Sequence, residues 1–247
     1  MTYCVGMRLE QGLIFMSDTR TNAGLDNISV FRKMHSWEVP GERVISLMTA
    51  GNLATTQAVV SLLEERTKAP SDRMPSILSA PSMFQVARTV ANTLKEVIAD
   101  QADTGERADS AFNGTIILGG QIADSVTRLF LIYPEGNFIE AGQETPFFQI
   151  GETKYGRPIL VRAYDPKMSF ESALKLLILS FDSTIKANLS VGPPLDLQIY
   201  HEGQLTLGPS LRFEVDDPYF SQLSDMWGTA LKSAVDGLPE IDLPSDL

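Results

Sequence analysis

Two short apolar stretches, 2–9 and 13–18, flank a Glu10-Gln11-Gly12 turn and predict a pair of strands. A further strand is expected near 28–33, and another over 44–48, closed by Ala50-Gly51. The period then changes. Ala54, Ala58, Val59, Leu62 and Leu63 recur at helical spacing. A loop with three prolines follows over 68–81. Ser82, with Gln85 three residues on, has the form of a capping box. The helix it opens carries Phe84, Ala87, Val90, Ala91, Leu94 and Ile98 on one stripe, which reads as a core face.

After a polar loop at 102–110, strands return at 114–119, 127–133 and 147–151. A long helix over 169–187 aligns Phe170, Ala173, Leu174, Leu177, Phe181 and Ile185. Gly192-Pro193-Pro194 breaks the chain before a strand at 195–200, and 219–235 reads as a last helix. Runs of strands and runs of helices, segregated in this way, predict an α+β fold with sheets packed together and helices outside. With no repeat, linker or shift in composition, the chain is read as one domain, 1–247. Residues 236–247 form an acidic tail whose two prolines make it extended.

Composition narrows the function. The chain has 247 residues, long enough to bury a large core, with 43% hydrophobic and 21% charged residues. A formal net charge of −11 argues against nucleic acid and against an anionic membrane surface. No apolar run is long enough to span a bilayer, and the first residues lack the pattern of a signal peptide. The single cysteine, Cys4, rules out an internal disulfide and suits a reducing compartment, so a cytoplasmic location is expected. Cys4 itself reads as a small packed residue rather than a nucleophile.

Few residues offer chemistry. His35 and His201 stand alone, which leaves a histidine triad or a zinc site without its parts. Gly151-Glu152-Thr153-Lys154-Tyr155-Gly156 has the wrong order for a phosphate-binding loop. Thr2 is different. If Met1 is removed, Thr2 carries a hydroxyl nucleophile and a free α-amine that can serve as its base. Such an amine titrates at about 7.7–8.0. A lysine ammonium nearby would lower that value by like-charge repulsion and would favour negative charge on the reacting oxygens. Lys33 is the candidate, and Asp18 is the carboxylate that would hold it. On spacing alone, a surface ion pair on a hairpin is the favoured reading of the two.

Thr2, the strand ending Ser17-Asp18-Thr19-Arg20, then Gly24, Lys33, Ala50-Gly51 heading a helix, and the Leu118-Gly119-Gly120 turn resemble the β-type proteasome subunits and their bacterial relatives. Within that superfamily the opening Thr2-Tyr3-Cys4-Val5-Gly6-Met7-Arg8-Leu9 is similar to the bacterial Anbu family. So is Ser180-Phe181-Asp182-Ser183-Thr184, followed by Asn188-Leu189-Ser190-Val191-Gly192. The resemblance implies a four-layer αββα sandwich of the N-terminal-nucleophile hydrolase type, assembled as a ring or open spiral of identical subunits and acting on polypeptide as a threonine peptidase. It implies no metal and no organic cofactor, and it does not specify an ATPase partner. It assigns Thr2, Asp18 and Lys33 to catalysis and the Gly51 N–H to the oxyanion. Arg20 falls beside the site, and Thr49 and Leu53 shape a pocket for a small or neutral P1 side chain.

Two loops depart from the family pattern. Asn188 stands where an aspartate is expected, with Ser190 one position early, and Glu152 stands where a serine would fall. An asparagine can hydrogen-bond but cannot balance charge, and a glutamate near the amine would raise its pKa. The remaining readings are an amidase acting on a small non-peptide amide and a catalytically silent assembly subunit.

Overall fold

The computed structural model describes residues 2–22, 28–68, 75–102 and 112–241. Two five-stranded antiparallel sheets lie face to face. The first has the order β10-β1-β2-β11-β12, made from β1 (Tyr3–Leu9), β2 (Gly12–Asp18), β10 (Phe147–Gly151), β11 (Leu195–His201) and β12 (Ser210–Phe213). The second runs β5-β6-β7-β8-β9, from β5 (Met34–Val39), β6 (Arg43–Gly51), β7 (Gly114–Ile122), β8 (Arg128–Ile132) and β9 (Phe138–Glu140). A small ribbon pairs β3 (Arg20–Asn22) with β4 (Ile28–Val30).

Strand alternation sorts side chains into three cores. Cys4, Leu13, Phe15, Val44, Met48, Ile117 and Leu129 meet between the sheets. Tyr3, Val5, Met7, Ile14 and Met16 point outward from the first sheet, under α4 (Phe170–Ala187) and α3 (Arg157–Ala163). Ile45, Leu47, Ile116 and Leu118 point outward from the second, under α1 (Leu53–Lys68) and α2 (Met83–Ala102). β1, β2, β6 and β7 are therefore buried on both faces, which is why the sequence shows near-continuous apolar runs there. The result is the αββα sandwich.

Helix ends follow their capping residues. Ser169 Oγ accepts from the Ser172 N–H at the start of α4, and Ser82 Oγ accepts from the Gln85 N–H at the start of α2. Asp217 does the same for Phe220 at the start of α5 (Pro218–Asp236). α5 buries no residue fully. It leans on α4, where Lys186 Nζ donates to Ser224 Oγ at 2.7 Å and Ser224 Oγ donates to Asp182 Oδ1.

Several expectations need correction. The strand expected over 28–33 is regular only over Ile28–Val30; the Phe31 N–H adds one more rung to the Thr19 carbonyl, and beyond it Lys33 turns its side chain inward to Asp18. β3, β5, β9, β12 and α3 were not expected. They are short or lie at sheet edges, where pairing with a neighbour defines them more than any local pattern. The tail is helical up to Asp236 and irregular over 237–241, while 242–247 lies outside the described residues. Gly24, most of the 102–110 loop and part of the 68–81 loop also lie outside them.

Candidate active site

The first sheet brings the start of β1 next to the end of β2. Cys4 pairs with Ser17, so Thr2, just before β1, and Thr19, just after β2, lie alongside each other. Asp18 accepts at Oδ1 from the Tyr3 N–H at 2.9 Å and from Lys33 Nζ at 2.7 Å. Lys33 Nζ also donates to the Arg20 carbonyl at 2.6 Å. The side chains of Lys33 and Asp18 are 5% and 0% exposed, so the pair is buried and the surface ion-pair reading is excluded. Burial pushes the Asp18 carboxyl above its ordinary range. The Lys33 ammonium opposes this, and the backbone at Tyr3 and Gly192 adds smaller opposition.

Four buried polar atoms make no well-formed hydrogen bond among the described residues: Ser17 Oγ, Asp18 Oδ2, Arg20 Nε and Thr21 Oγ1. All belong to the end of β2 and the start of β3, within a few residues of the ion pair. Unmet polar groups concentrated in one place mark a site rather than a packed core.

Thr2 is nearly buried. Its carbonyl accepts from the Glu152 N–H at 2.7 Å. Gly151 has φ +82°, and a Cβ there would stand 2.0 Å from the Thr2 carbonyl oxygen, so the loop after β10 can approach only with glycine at this position. Behind Thr2, the Tyr3 hydroxyl shares a hydrogen bond with Ser180 Oγ at 2.6 Å and accepts from Gln149 Nε2 at 2.7 Å. Burial pushes that phenol up to about 12. This network fixes β1 against α4 one residue beyond Thr2.

Thr2 opens onto a cavity of about 580 Å³ between the β6–α1 corner and the chain around Phe31. Thr49 and Leu53 line it, with Gly51 between them. Asn52 caps α1, accepting at Oδ1 from the Ala54 and Thr55 N–H groups. The Asn52 N–H donates to the Asn113 carbonyl, and three positions earlier, on the β5 side, the Thr49 N–H donates to the Lys33 carbonyl. Alternation along β6 therefore turns the Gly51 N–H away from β7, past the point where β5 begins.

The cavity wall also includes His35, read in sequence as a lone histidine, and Phe31, Arg32, Gln57, Ser61 and Glu64, which the sequence did not single out. Gln57, Ser61 and Glu64 form a polar stripe at helical spacing on α1, which reads in sequence as a solvent face. Burial lowers the His35 pKa, and Glu64 works against it.

The two departing loops meet. Asn188, the C-cap of α4, donates through Nδ2 to Glu152 Oε2 at 3.1 Å and accepts at Oδ1 from the Ser190 N–H. Ser190 contributes its backbone there. Arg20 Nη1 donates to the Leu189 carbonyl at 3.0 Å, and Gly192 packs against its guanidinium. Cys4 is fully buried, and burial drives its thiol above the usual range. Among the described residues no three His, Cys, Asp or Glu side chains gather as a metal site.

Residues 2–199 match the sequence profile of the family described as proteasome subunit. A structure of Anbu (ancestral beta-subunit) from Yersinia bercovieri is 46% identical, with 98% of this chain and 100% of that chain covered and a TM-score of 0.91. Anbu from Hyphomicrobium sp. strain MC1 is 48% identical over 98% and 100% of the two chains, with a TM-score of 0.90. The structure described as the helical assembly of the Anbu complex from Pseudomonas aeruginosa is 44% identical over 99% of each chain, with a TM-score of 0.91. A search of curated sequences returned no match. The chain belongs to the proteasome subunit family, in its Anbu branch.

Proposed function

We propose that this proteasome-family chain is a threonine-type N-terminal-nucleophile peptidase. The observation that carries the reading is the buried Lys33 ammonium, shared between Asp18 and the Arg20 carbonyl beside Thr2, at the mouth of the cavity. A buried ion pair is costly to build and adds little to stability. Its position next to a terminal threonine gives it a use.

Once Met1 has been removed, the Thr2 α-amine takes the proton from the Thr2 hydroxyl as the oxygen attacks a peptide carbonyl. The positive charge of Lys33 favours the neutral amine and stabilises the developing alkoxide. Asp18 orients Lys33. The Gly51 N–H faces the oxyanion, and the amine then protonates the leaving group before water clears the acyl-enzyme. Thr49 and Leu53 shape the cavity, and Arg20 secures the 188–192 loop. The open edge of β6 beyond Thr49 suits an extended peptide, which can add as a strand. The helical assembly described for the Pseudomonas aeruginosa relative supports an open spiral of identical subunits for this chain too. A cytoplasmic location fits its one buried thiol.

The test is labelling with a peptide epoxyketone or β-lactone, read by intact mass on untagged protein. The expected result is a mass lacking Met1 and one adduct, absent in Thr2→Ala. Equal labelling of Thr2→Ala would remove Thr2 from the mechanism. A retained Met1 would block the amine and favour a silent assembly subunit.

A further inference from the structure

We propose that Glu152, held by Asn188, is a positioning residue for the Thr2 amine, and that its carboxylate sets the pH above which that amine acts as a base. The inference rests on the reading of Thr2 as the nucleophile. It starts from the contact between the Glu152 N–H and the Thr2 carbonyl at 2.7 Å. That hydrogen bond seats the Glu152 backbone directly beside Thr2, because Gly151 carries no Cβ to hold the two strands apart.

The carboxylate is not free to turn into solvent. Oε2 accepts from Asn188 Nδ2 at 3.1 Å, and Oε1 accepts from the Lys154 N–H at 3.2 Å. Both donors are neutral amide groups. They orient the carboxylate and leave its negative charge uncompensated. Asn188 is in turn fixed by the Thr184 carbonyl, which accepts from its N–H, and by the Ser190 N–H, which donates to its Oδ1. The same loop continues to Arg20 through Leu189 and to the neighbourhood of Asp18 through Gly192. Thr2 is thus ringed by the end of β2, the 151–154 loop and the 188–192 loop.

Besides Arg32, His35 and Glu64 in the cavity wall, four charged groups among the described residues surround Thr2. Lys33 is balanced by Asp18, the Arg20 guanidinium lies on the 188–192 loop, and Glu152 faces them from the loop after β10. The Lys154 side chain is exposed and meets Glu152 only through its backbone. Lys33 and Arg20 favour the neutral amine, and Glu152 adds to the carboxylates that favour the ammonium, of which Asp18 is already offset by Lys33. A neutral asparagine at 188 leaves that opposition in place, whereas an aspartate there would add to it. The two departures from the family pattern therefore act as one unit, which lifts the working range of the site toward higher pH.

The experiment is the pH dependence of Thr2 acylation by a β-lactone, followed by intact mass from pH 5.5 to 9 on the full chain. Glu152→Gln keeps the side-chain size and the backbone contact to Thr2. It is expected to lower the midpoint of the acid limb by about half to one pH unit, the size of a single partly screened charge. Asn188→Asp is expected to raise the midpoint, so a folding defect in one variant leaves the other as the test. A merely structural role would lower the plateau and leave the midpoint in place, and that result in both variants overturns the inference. Wild-type protein that never acylates at Thr2 sinks the nucleophile reading itself, and this inference with it. The two failures are told apart by the wild-type trace alone.

Discussion

Lys33 Nζ lies 2.7 Å from Asp18 Oδ1, and neither side chain is more than 5% exposed. Removing one partner leaves the other charge buried and unpaired, at a cost of about 3–5 kcal/mol. Lys33→Ala should therefore lose both stability and acylation. Asp18→Asn combined with Lys33→Ala should recover most of the stability, measured by urea unfolding, while acylation stays down by orders of magnitude. Recovery of acylation in the double variant would show that the pair serves the fold and not Thr2.

Asp18 also gives a pH signature. Burial raises its folded pKa above the unfolded value of about 3.9. A group raised in this way contributes stability that is full below the unfolded pKa and is lost as pH rises through the folded pKa. The stability of the wild type relative to Asp18→Asn should accordingly fall as pH rises from about 4 toward neutrality. Parallel urea titrations at pH 4 and pH 7 check the sign, and a difference that grows with pH would mean that Lys33 outweighs burial.

Gly51 has φ +122°, and a Cβ there would meet the Asn113 carbonyl oxygen at 2.2 Å. The obstacle is backbone and cannot swing away. Gly51→Ala should cost at least about 1–3 kcal/mol and shift the N–H assigned to the oxyanion. Thermal unfolding and acylation should both suffer, and unchanged acylation would take the Gly51 N–H out of the reaction.

Cys4 is fully buried between the sheets, and its thiol is pushed well above the usual range. At pH 8 it should remain a protonated thiol out of reach of reagent. A disulfide-exchange reagent should find no thiol in the native protein and one per chain in guanidinium. Fast labelling of the native form would contradict the packing described for the inner faces of the two sheets.

The long elements were legible in the sequence. A buried strand or an amphipathic helix of many residues repeats its pattern often enough to identify itself, as 13–18 and 169–187 do. The seven residues of α3 and the three of β9 repeat nothing, and only packing against α4 and pairing with β8 define them.

Sequence alone determined the sandwich and set Thr2, Asp18 and Lys33 apart as residue types suited to one another. It could not say whether Asp18 and Lys33 meet in water or out of it. That depends on how far the chain around Phe31 folds over the end of β2, which a one-dimensional pattern does not record. It also showed Glu152 and Asn188 only as two separate departures from a family pattern. Tertiary structure made them partners, because the loops after β10 and α4 meet beside Thr2. The polar stripe of Gln57, Ser61 and Glu64 followed the same logic. Periodicity fixes which residues share a helix face, but only the neighbouring chain decides whether that face meets solvent or a cavity.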